Sequence, residues 1–174
     1  MKKPLVILEM ANNHMGDKSH ALKIIKTYSK ITKHLTNKIE FAFKFQFRDL
    51  ETYIHPSFKN TDHKQVRRFE DTKLSEKDWN KILKYAGKSY KLISTAFDEK
   101  SVIKIVKLKF EFLKIASCSM NEWPLLEYIS KYARKKKLIC SLGGANENEI
   151  RNVMPSPCLA FLFQTSVVSR VTLD

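Results

Sequence analysis

The chain has 174 residues, of which 43% are hydrophobic, and it carries a formal net charge of +14. One domain with a buried core is expected at this length and composition, which excludes a disordered chain. The sequence contains no apolar run near the ~18 residues of a membrane span and no secretory signal after its first three residues, so we expect a cytoplasmic protein without membrane contact.

The first half of the chain is predicted to begin with a strand, a helix and a second strand. The first strand, residues 4–11, is apolar except for Glu9 and is predicted to be buried on both faces. A helix at 21–35 and a strand at 39–47 follow. Residues 48–72 are polar and longer than an ordinary connection, which predicts a functional loop.

The second half of the chain continues this alternation. Ser75 is predicted to cap a helix, with Asp78 as the carboxylate of a capping box. Further strands are predicted at 91–97, 112–116 and 138–143, with a sixth candidate at 159–163. The helices between them are predicted at 99–108, 122–133 and 146–153. Strands that alternate with helices at this spacing form parallel βαβ units.

The predicted fold class is therefore α/β, a partial TIM-type (β/α) barrel of five to six parallel strands. A complete barrel of this type needs about 250 residues. We expect residues 1–153 to form the N-terminal part of a barrel and residues 154–174 to form a divergent tail. Truncation, a shifted reading frame, or partner chains that complete the barrel would explain the missing strands. Because an open parallel sheet exposes strand edges, the isolated chain is predicted to aggregate or to form homo-oligomers.

Polar residues occur where each of the first five predicted strands ends. The segments are Glu-Met-Ala-Asn-Asn-His at 9–14, Lys-Phe-Gln at 44–46, Ser-Thr-Ala-Phe-Asp at 94–98, Lys-Ile-Ala-Ser at 114–117 and Cys-Ser-Leu-Gly at 140–143. A β/α barrel builds its active site from the carboxyl ends of its strands, so these side chains are predicted to open on one rim. Two lysines with interspersed hydroxyl groups favour an anionic, phosphorylated ligand.

The two lysines carry most of this prediction. Lys44 and Lys114 each lie within an apolar strand, where an unpaired ammonium group is costly to bury. Each is therefore expected to have an anionic partner, and the alternative is an edge-strand lysine that faces solvent. Glu9 is expected either to pair with a lysine such as Lys44 or to have a raised pKa. A purely structural ion pair is the alternative to a catalytic one.

Small hydroxyl residues at the strand ends can donate hydrogen bonds to phosphate oxygens. These candidates are Ser94, Thr95, Ser117 and Ser141. Serine and threonine also cap helices, so each has a structural alternative. Asp98 is predicted to cap the following helix. His14, which follows Asn13 at the mouth of the predicted site, either orients a ligand or begins the loop.

The net charge leaves a second class of function open. Clustered lysines and arginines bind nucleic-acid phosphates. The lysines here are spread along predicted helix faces, apart from the run at 134–137, which ends a helix. A solvated surface is therefore favoured over a nucleic-acid interface. The cysteines Cys118, Cys140 and Cys158 match no zinc motif and are predicted to be free thiols.

The strand-end segments, in this order and spacing, resemble the sialic acid synthase family over roughly residues 4–150. Phe-Gln-Phe-Arg-Asp at 45–49 and Ile-His-Pro at 54–56 add to the resemblance. The resemblance implies condensation of phosphoenolpyruvate with N-acetylmannosamine or a related amino sugar to a nonulosonic acid. The catalytic residues it implies are Glu9, Lys44 and Lys114. The substrate-binding residues it implies are Asn13, Thr95, Ser117 and Ser141.

The chain also departs from the family pattern. Ser119 stands where the family usually has an acidic residue, and Leu142 and Gly144 replace the Thr and Met of a Ser-Thr-Gly-Met motif. The resemblance implies a divalent metal, Mn or Mg, held by histidines on late strands, but all five histidines here lie within the first 63 residues. We therefore predict weak phosphoenolpyruvate binding without sugar-acid synthesis by this chain alone. The alternatives are a non-catalytic anion-binding remnant, a basic nucleic-acid-binding module, and a related synthase for a different sugar.

Overall fold

The computed structural model describes residues 3–153 and 161–164, which contain one sheet of six parallel strands in chain order. The strands are β1 (Leu5–Glu9), β2 (Glu40–Phe47), β3 (Lys91–Ala96), β4 (Phe112–Ile115), β5 (Lys137–Ser141) and β6 (Phe161–Gln164). The helices are α1 (Lys18–Thr32), α2 (Leu50–Tyr53), α3 (Lys64–Asp71), α4 (Glu76–Ala86), α5 (Glu99–Lys107), α6 (Trp123–Tyr132) and α7 (Glu147–Val153). This architecture confirms the α/β partial barrel.

The sheet buries a different apolar cluster on each of its faces. Successive residues of a strand point to opposite faces, so Phe43 and Phe45 of β2 pack outward with the helices, where Trp79 of α4 joins them. Ala42 points inward and packs with Ile93 of β3 in a smaller inner cluster. Full burial of an aromatic side chain stabilises a fold by roughly 2–3 kcal/mol. The larger outer cluster therefore contributes most of the hydrophobic stabilisation, and the smaller inner cluster contributes less.

Capping residues determine where the principal helices begin. The side chain of Asp17 accepts a hydrogen bond from the backbone of Ser19 at 2.6 Å and starts α1 three residues before the predicted boundary. Ser75 Oγ accepts from the Asp78 backbone at 3.1 Å and starts α4, which confirms the predicted cap. Asp98 caps α5 in the same way, also as predicted. Such caps stabilise a helix by about 1 kcal/mol each.

The environment of β1 differs from its prediction. The apolar sequence predicted burial on both faces, but Val6 is 39% exposed and no residue of the strand is fully buried. Within the described residues β1 pairs with β2 on one side only, because it is the first strand of an open sheet. The prediction assumed a central strand, and the position of β1 at the edge overturns it.

Residues 48–72 are not the featureless loop that their polarity predicted. They contain α2, a 3-10 turn at Pro56–Phe58 and α3. Val66 of α3 is buried, and the rings of Tyr53 and Phe69 meet edge to face at 5.9 Å. A few apolar contacts therefore stabilise helices in this segment. Its many charged residues make the helical spacing of its apolar residues difficult to recognise in the sequence. Its functional role stays a prediction.

Other predictions concern the membrane, the cysteines and the tail. No helix within the described residues is long and apolar enough to cross a membrane. Cys118, which is exposed, and Cys140, which is buried, are free thiols as predicted. Cys158 and the predicted tail lie outside the described residues, apart from β6, which forms two positions later than the strand predicted at 159–163 began.

Candidate functional site

The strand register places five of the predicted site residues on one face of the sheet. Glu9 lies opposite Lys44, and Thr95 lies opposite Lys114. Thr95 lies two residues beyond the register partner of Lys44, and Ser141 lies two residues beyond the register partner of Lys114. Residues two apart on a strand share a face of the sheet. All five stand near the carboxyl ends of their strands. We call Glu9, Lys44, Thr95, Lys114 and Ser141 the inner rim.

Glu9 and Lys44 form the ion pair of the inner rim. Oε2 of Glu9 contacts Nζ of Lys44, while Oε1 accepts a hydrogen bond from the backbone of Ala11 at 3.0 Å. The Lys44 side chain is 10% exposed and that of Glu9 is 41% exposed. The predicted pairing is confirmed, and the alternative of a lysine that faces solvent is excluded for Lys44. The more exposed carboxylate gives the pair an open side toward a ligand.

Lys114 is half-buried on the same face but has no such partner. No carboxylate within the described residues forms a salt bridge with it, so these residues do not supply the expected anionic partner of this lysine. Burial lowers the pKa of Lys114 below its ordinary value, repulsion from Lys44 lowers it further, and attraction to Glu9 offsets only part of the shift. The inner rim therefore has two ammonium groups and one carboxylate. That imbalance favours an anion.

The hydroxyl groups around the lysines differ in their surroundings. Thr95 is 1% exposed, and its Oγ1 has no hydrogen-bond partner, although it lies directly across from Lys114. An unpaired buried hydroxyl costs about 1–3 kcal/mol. Ser141 is buried on the same face. Ser94 points to the other face and donates to the Thr95 carbonyl at 3.2 Å, so it is not part of the inner rim.

Ser117 and Asn13 lie beyond the strand ends and are exposed. Ser117 begins the 3-10 turn Ser117–Ser119 that follows β4, three residues after Lys114. Asn13 belongs to the turn that follows β1. Neither makes a side-chain hydrogen bond within the described residues. Both are placed near the rim without being fixed to it, so their predicted roles depend on a ligand.

His14 has a structural setting. It is 4% exposed, its ring meets that of Trp79 edge to face at 5.3 Å, and its Nδ1 accepts a hydrogen bond from the Gly16 backbone at 3.1 Å. Burial, together with the nearby His20, lowers the pKa of His14 to about 4. The imidazole is therefore neutral at physiological pH, and it shapes the loop after β1.

Sequence reasoning missed Arg48, which follows β2 directly. Its guanidinium carbon lies 4.1 Å from the ring centroid of Phe97 and 4.4 Å from that of Phe69. Its Nη2 donates to Oε1 of Gln46 at 2.6 Å, and its buried Nε has no partner. Alternate spacing from Lys44 through Gln46 to Arg48 was the available signal.

One cleft of the described residues lies next to the rim rather than over its lysines. It measures about 770 Å³, and Gln46, Arg48 and Phe69 line it, whereas Lys44 and Lys114 do not. The lysines lie on the inner face of an open sheet, which is not an enclosed cavity. Gln46, two residues after Lys44 on the same face, connects this face with the cleft.

The described residues do not form a metal site. Within the described part of the chain, no three or more His, Cys, Asp or Glu side chains lie close enough together to hold an ion. These residues therefore do not fit the metal that the resemblance implies, and we assign no chemical step to a metal.

Comparison with known proteins gives three informative matches. The chain is 29% identical over 161 residues to N,N'-diacetyllegionaminic acid synthase of Campylobacter jejuni, covering 91% of this chain and 48% of that protein. It is 38% identical, with a TM-score of 0.85, to the crystal structure of a protein of Chromobacterium violaceum assigned as spore coat polysaccharide biosynthesis protein E, covering 92% of this chain and 48% of that one.

The third match concerns the fold alone. The N-acetylneuraminic acid (sialic acid) synthetase of Leptospira borgpetersenii superposes with a TM-score of 0.73 at 23% identity, covering 93% of this chain and 53% of that one. The chain thus spans about half the length of the proteins it matches. The sequence profile of the NeuB family matches residues 30–157, most of the chain. The motif resemblance is confirmed, and the chain belongs to the NeuB family.

Proposed function

We propose that the inner rim binds phosphoenolpyruvate for its condensation with N-acetylmannosamine or a related amino sugar to a nonulosonic acid. One observation carries the proposal, namely that Lys114 lies on the same face as the Glu9–Lys44 pair without a salt-bridge partner of its own among the described residues. Membership of the NeuB family supports it, as does similarity to a relative named as a legionaminic acid synthase.

The charges of phosphoenolpyruvate match those of the inner rim. Its phosphate supplies the negative charge that Lys114 lacks, and its carboxylate reaches Lys44 beside Glu9. Thr95 donates the hydrogen bond that its buried hydroxyl otherwise leaves unused, and Ser141 adds a second donor. Charge-assisted hydrogen bonds of this kind contribute about 1.5–3 kcal/mol each. Ser117 and Asn13 extend the site at its open side.

The proposed reaction forms one carbon–carbon bond and breaks one carbon–oxygen bond. The C3 carbon of phosphoenolpyruvate attacks the aldehyde carbon of the open-chain sugar, whose oxygen takes up the electron pair and a proton. Water then adds to the resulting cation at C2, with loss of a proton, and forms a tetrahedral intermediate. This intermediate expels phosphate by cleavage of the C2–O bond and leaves a ketone at C2. Glu9, beside Lys44, stabilises the positive charge or carries the proton. A divalent metal in this reaction would need ligands outside the described residues.

Titration calorimetry with phosphoenolpyruvate tests the binding step. We expect the double variant Lys44→Ala, Lys114→Ala to lose measurable binding, because each lysine contributes at least tenfold in affinity, about 1.4 kcal/mol. The matched control is Lys91→Ala, Lys137→Ala, which removes the same charge from the opposite ends of the strands. Circular dichroism verifies that both variants fold. Equal binding by the wild type and the rim variant, or no binding by the wild type, contradicts the proposal.

A product assay separates an enzyme from an anion-binding remnant. With phosphoenolpyruvate, N-acetylmannosamine and manganese, we expect no sugar acid from this chain alone, because its described residues form no metal site. Phosphoenolpyruvate binding without turnover agrees with this expectation. Robust turnover by the unaccompanied chain contradicts it.

A further inference from the structure

The contacts of Arg48 do not fully satisfy its guanidinium group. Its guanidinium lies against the rings of Phe69 and Phe97, and no carboxylate within residues 3–153 forms a salt bridge with it. Arginine stays charged inside proteins, so stacking on the rings has to offset the burial of this cation. The buried Nε adds a further cost, because it has no hydrogen-bond partner. These contacts suit a residue that orients a neighbouring side chain.

The residue that Arg48 fixes is Gln46. A guanidinium only donates hydrogen bonds, so the amide atom that it contacts at 2.6 Å has to be the oxygen. The amide nitrogen of Gln46 then points away from Arg48. This nitrogen donates to no group within the described residues, and it is not among their buried unpaired atoms. Gln46 lines the open cleft, and its amide nitrogen is not fully buried, so its N–H groups are accessible to a ligand.

We propose that Arg48 is a positioning residue that holds Gln46 as a hydrogen-bond donor to an acceptor oxygen of the sugar substrate. The inference rests on the proposed function, since it assigns the second substrate to the cleft beside the inner rim. Gln46 follows Lys44 by two residues on the same face, so an oxygen at its amide lies next to the bound anion. A neutral amide donor suits a hydroxyl or carbonyl oxygen, whereas the lysines serve the anion.

Two variants separate the donor from the residue that orients it. Gln46→Glu keeps an acceptor for Arg48 but presents no N–H group to the cleft. Arg48→Met fills the space between the rings but no longer orients the amide. Arg67→Met is the matched control, because Arg67 lies on the surface and pairs with Asp62 at 2.7 Å. The probes are N-acetylmannosamine with phosphoenolpyruvate present, and phosphoenolpyruvate alone.

We expect both site variants to weaken binding of N-acetylmannosamine about tenfold, which corresponds to the loss of one hydrogen bond. Arg67→Met should match the wild type, and Arg48→Met should bind phosphoenolpyruvate alone within about twofold. Gln46→Glu adds a carboxylate beside the bound anion, so its sugar affinity is measured at saturating phosphoenolpyruvate. In ¹⁵N spectra, the side-chain NH₂ signals of Gln46 should shift when the sugar is added to the wild type. In Arg48→Met they should move little. Arg48→Lys, which restores a donor without the planar fork, should recover only part of the affinity.

Two results overturn the inference. One is an unshifted Gln46 NH₂ signal when the sugar is added to the wild type, and the other is unchanged sugar affinity in Gln46→Glu. The second result decides the matter even when Arg48→Met does not fold, because the new carboxylate still pairs with Arg48. Persistent binding of phosphoenolpyruvate in these cases leaves the proposed function intact. Loss of phosphoenolpyruvate binding by the wild type identifies failure of the proposed function instead.

Discussion

The two ends of the sheet differ in how completely their charged side chains are paired. At the amino ends, which we call the base, Lys91 bonds Glu40 at 2.8 Å and Glu111 at 3.3 Å, and Lys137 bonds Glu111 at 2.9 Å. Two cations meet two carboxylates, and each group has a partner. At the inner rim, Glu9 pairs with Lys44, and Lys114 has no salt-bridge partner among the described residues. This contrast supports the proposal that the inner rim binds an anion.

The pKa shifts record the same contrast. The hydrogen bond to Glu40 raises the pKa of Lys91. Burial alone would raise the pKa of Glu111, but hydrogen bonds from Lys137 and Lys91 outweigh it and lower the pKa. The pKa of Lys114 is lowered instead, because burial and Lys44 oppose its charge. The charged forms of Lys91 and Glu111 are thus favoured at the base, and the charged form of Lys114 is disfavoured at the inner rim. A bound anion beside Lys114 would raise its pKa again.

The largest effect that we expect is the loss of stability in mild acid that His14 causes on the rim side. Its pKa is about 4 in the folded protein and 6.5 in the unfolded chain. Between these pH values the unfolded chain binds more protons than the folded protein. The free energy of unfolding is therefore at its full value above pH 6.5 and falls as the pH drops toward 4. The loss amounts to about 3 kcal/mol. Urea unfolding between pH 7 and pH 4 measures it.

His14→Asn is the control for this titration. The amide oxygen of asparagine can accept the hydrogen bond from Gly16 that Nδ1 accepts now, but it does not titrate in this range. Glu111 at the base, whose pKa is lowered below 4.5, loses its contribution only at more acidic pH. The interval from pH 6.5 to 4.5 therefore reports on the rim side. An unchanged slope in His14→Asn would assign the loss to other groups.

The second expected effect is a pair of stability changes of opposite sign. Lys114→Met should raise the free energy of unfolding by about 1 kcal/mol, since it removes a half-buried cation without a counter-ion. Lys91→Met should lower it by about 1 kcal/mol, since it breaks two half-exposed ion pairs. Urea unfolding at pH 7 compares the two variants. Changes of the same sign would show that rim and base do not differ in charge compensation.

The sequence predicted the order of the strands and the pair of Glu9 with Lys44, because both follow from local pattern and from the cost of burying a charge. It did not predict that Lys114 lacks a partner. Which lysine a carboxylate reaches depends on the register of neighbouring strands, and Glu9 lies opposite Lys44 rather than Lys114. The open edge at β1 was missed for a related reason, since an apolar strand has the same composition at an edge and in the centre of a sheet.

Arg48 shows a second limit of sequence reasoning. The rings that enclose it belong to Phe69 of α3 and to Phe97 after β3, both far from residue 48 along the chain. Only the folded arrangement of residues 48–72 brings these three groups together. The charged residues of α3 conceal its single buried position, Val66, so the segment was predicted to be a loop.

The smallest expected effect concerns Thr95, and it separates a ligand group from a structural one. Valine has nearly the same shape as threonine, so Thr95→Val removes only the unpaired hydroxyl at the inner rim. We expect the free energy of unfolding to rise by up to about 1 kcal/mol, because no hydrogen bond is lost in the free protein. Affinity for phosphoenolpyruvate should fall about tenfold, because the bound anion loses a donor.

Thr95→Ser, which keeps the hydroxyl, should bind phosphoenolpyruvate within about threefold of the wild type. Calorimetry and urea unfolding on the same samples test both halves of the expectation. A hydroxyl retained for structure gives the opposite stability result, because its removal would break a hydrogen bond in the free protein. Lower stability with unchanged affinity in Thr95→Val would therefore remove Thr95 from the proposed site. Higher stability with weaker binding shows instead that the rim keeps an unpaired group at a cost to the fold, which only a ligand can offset.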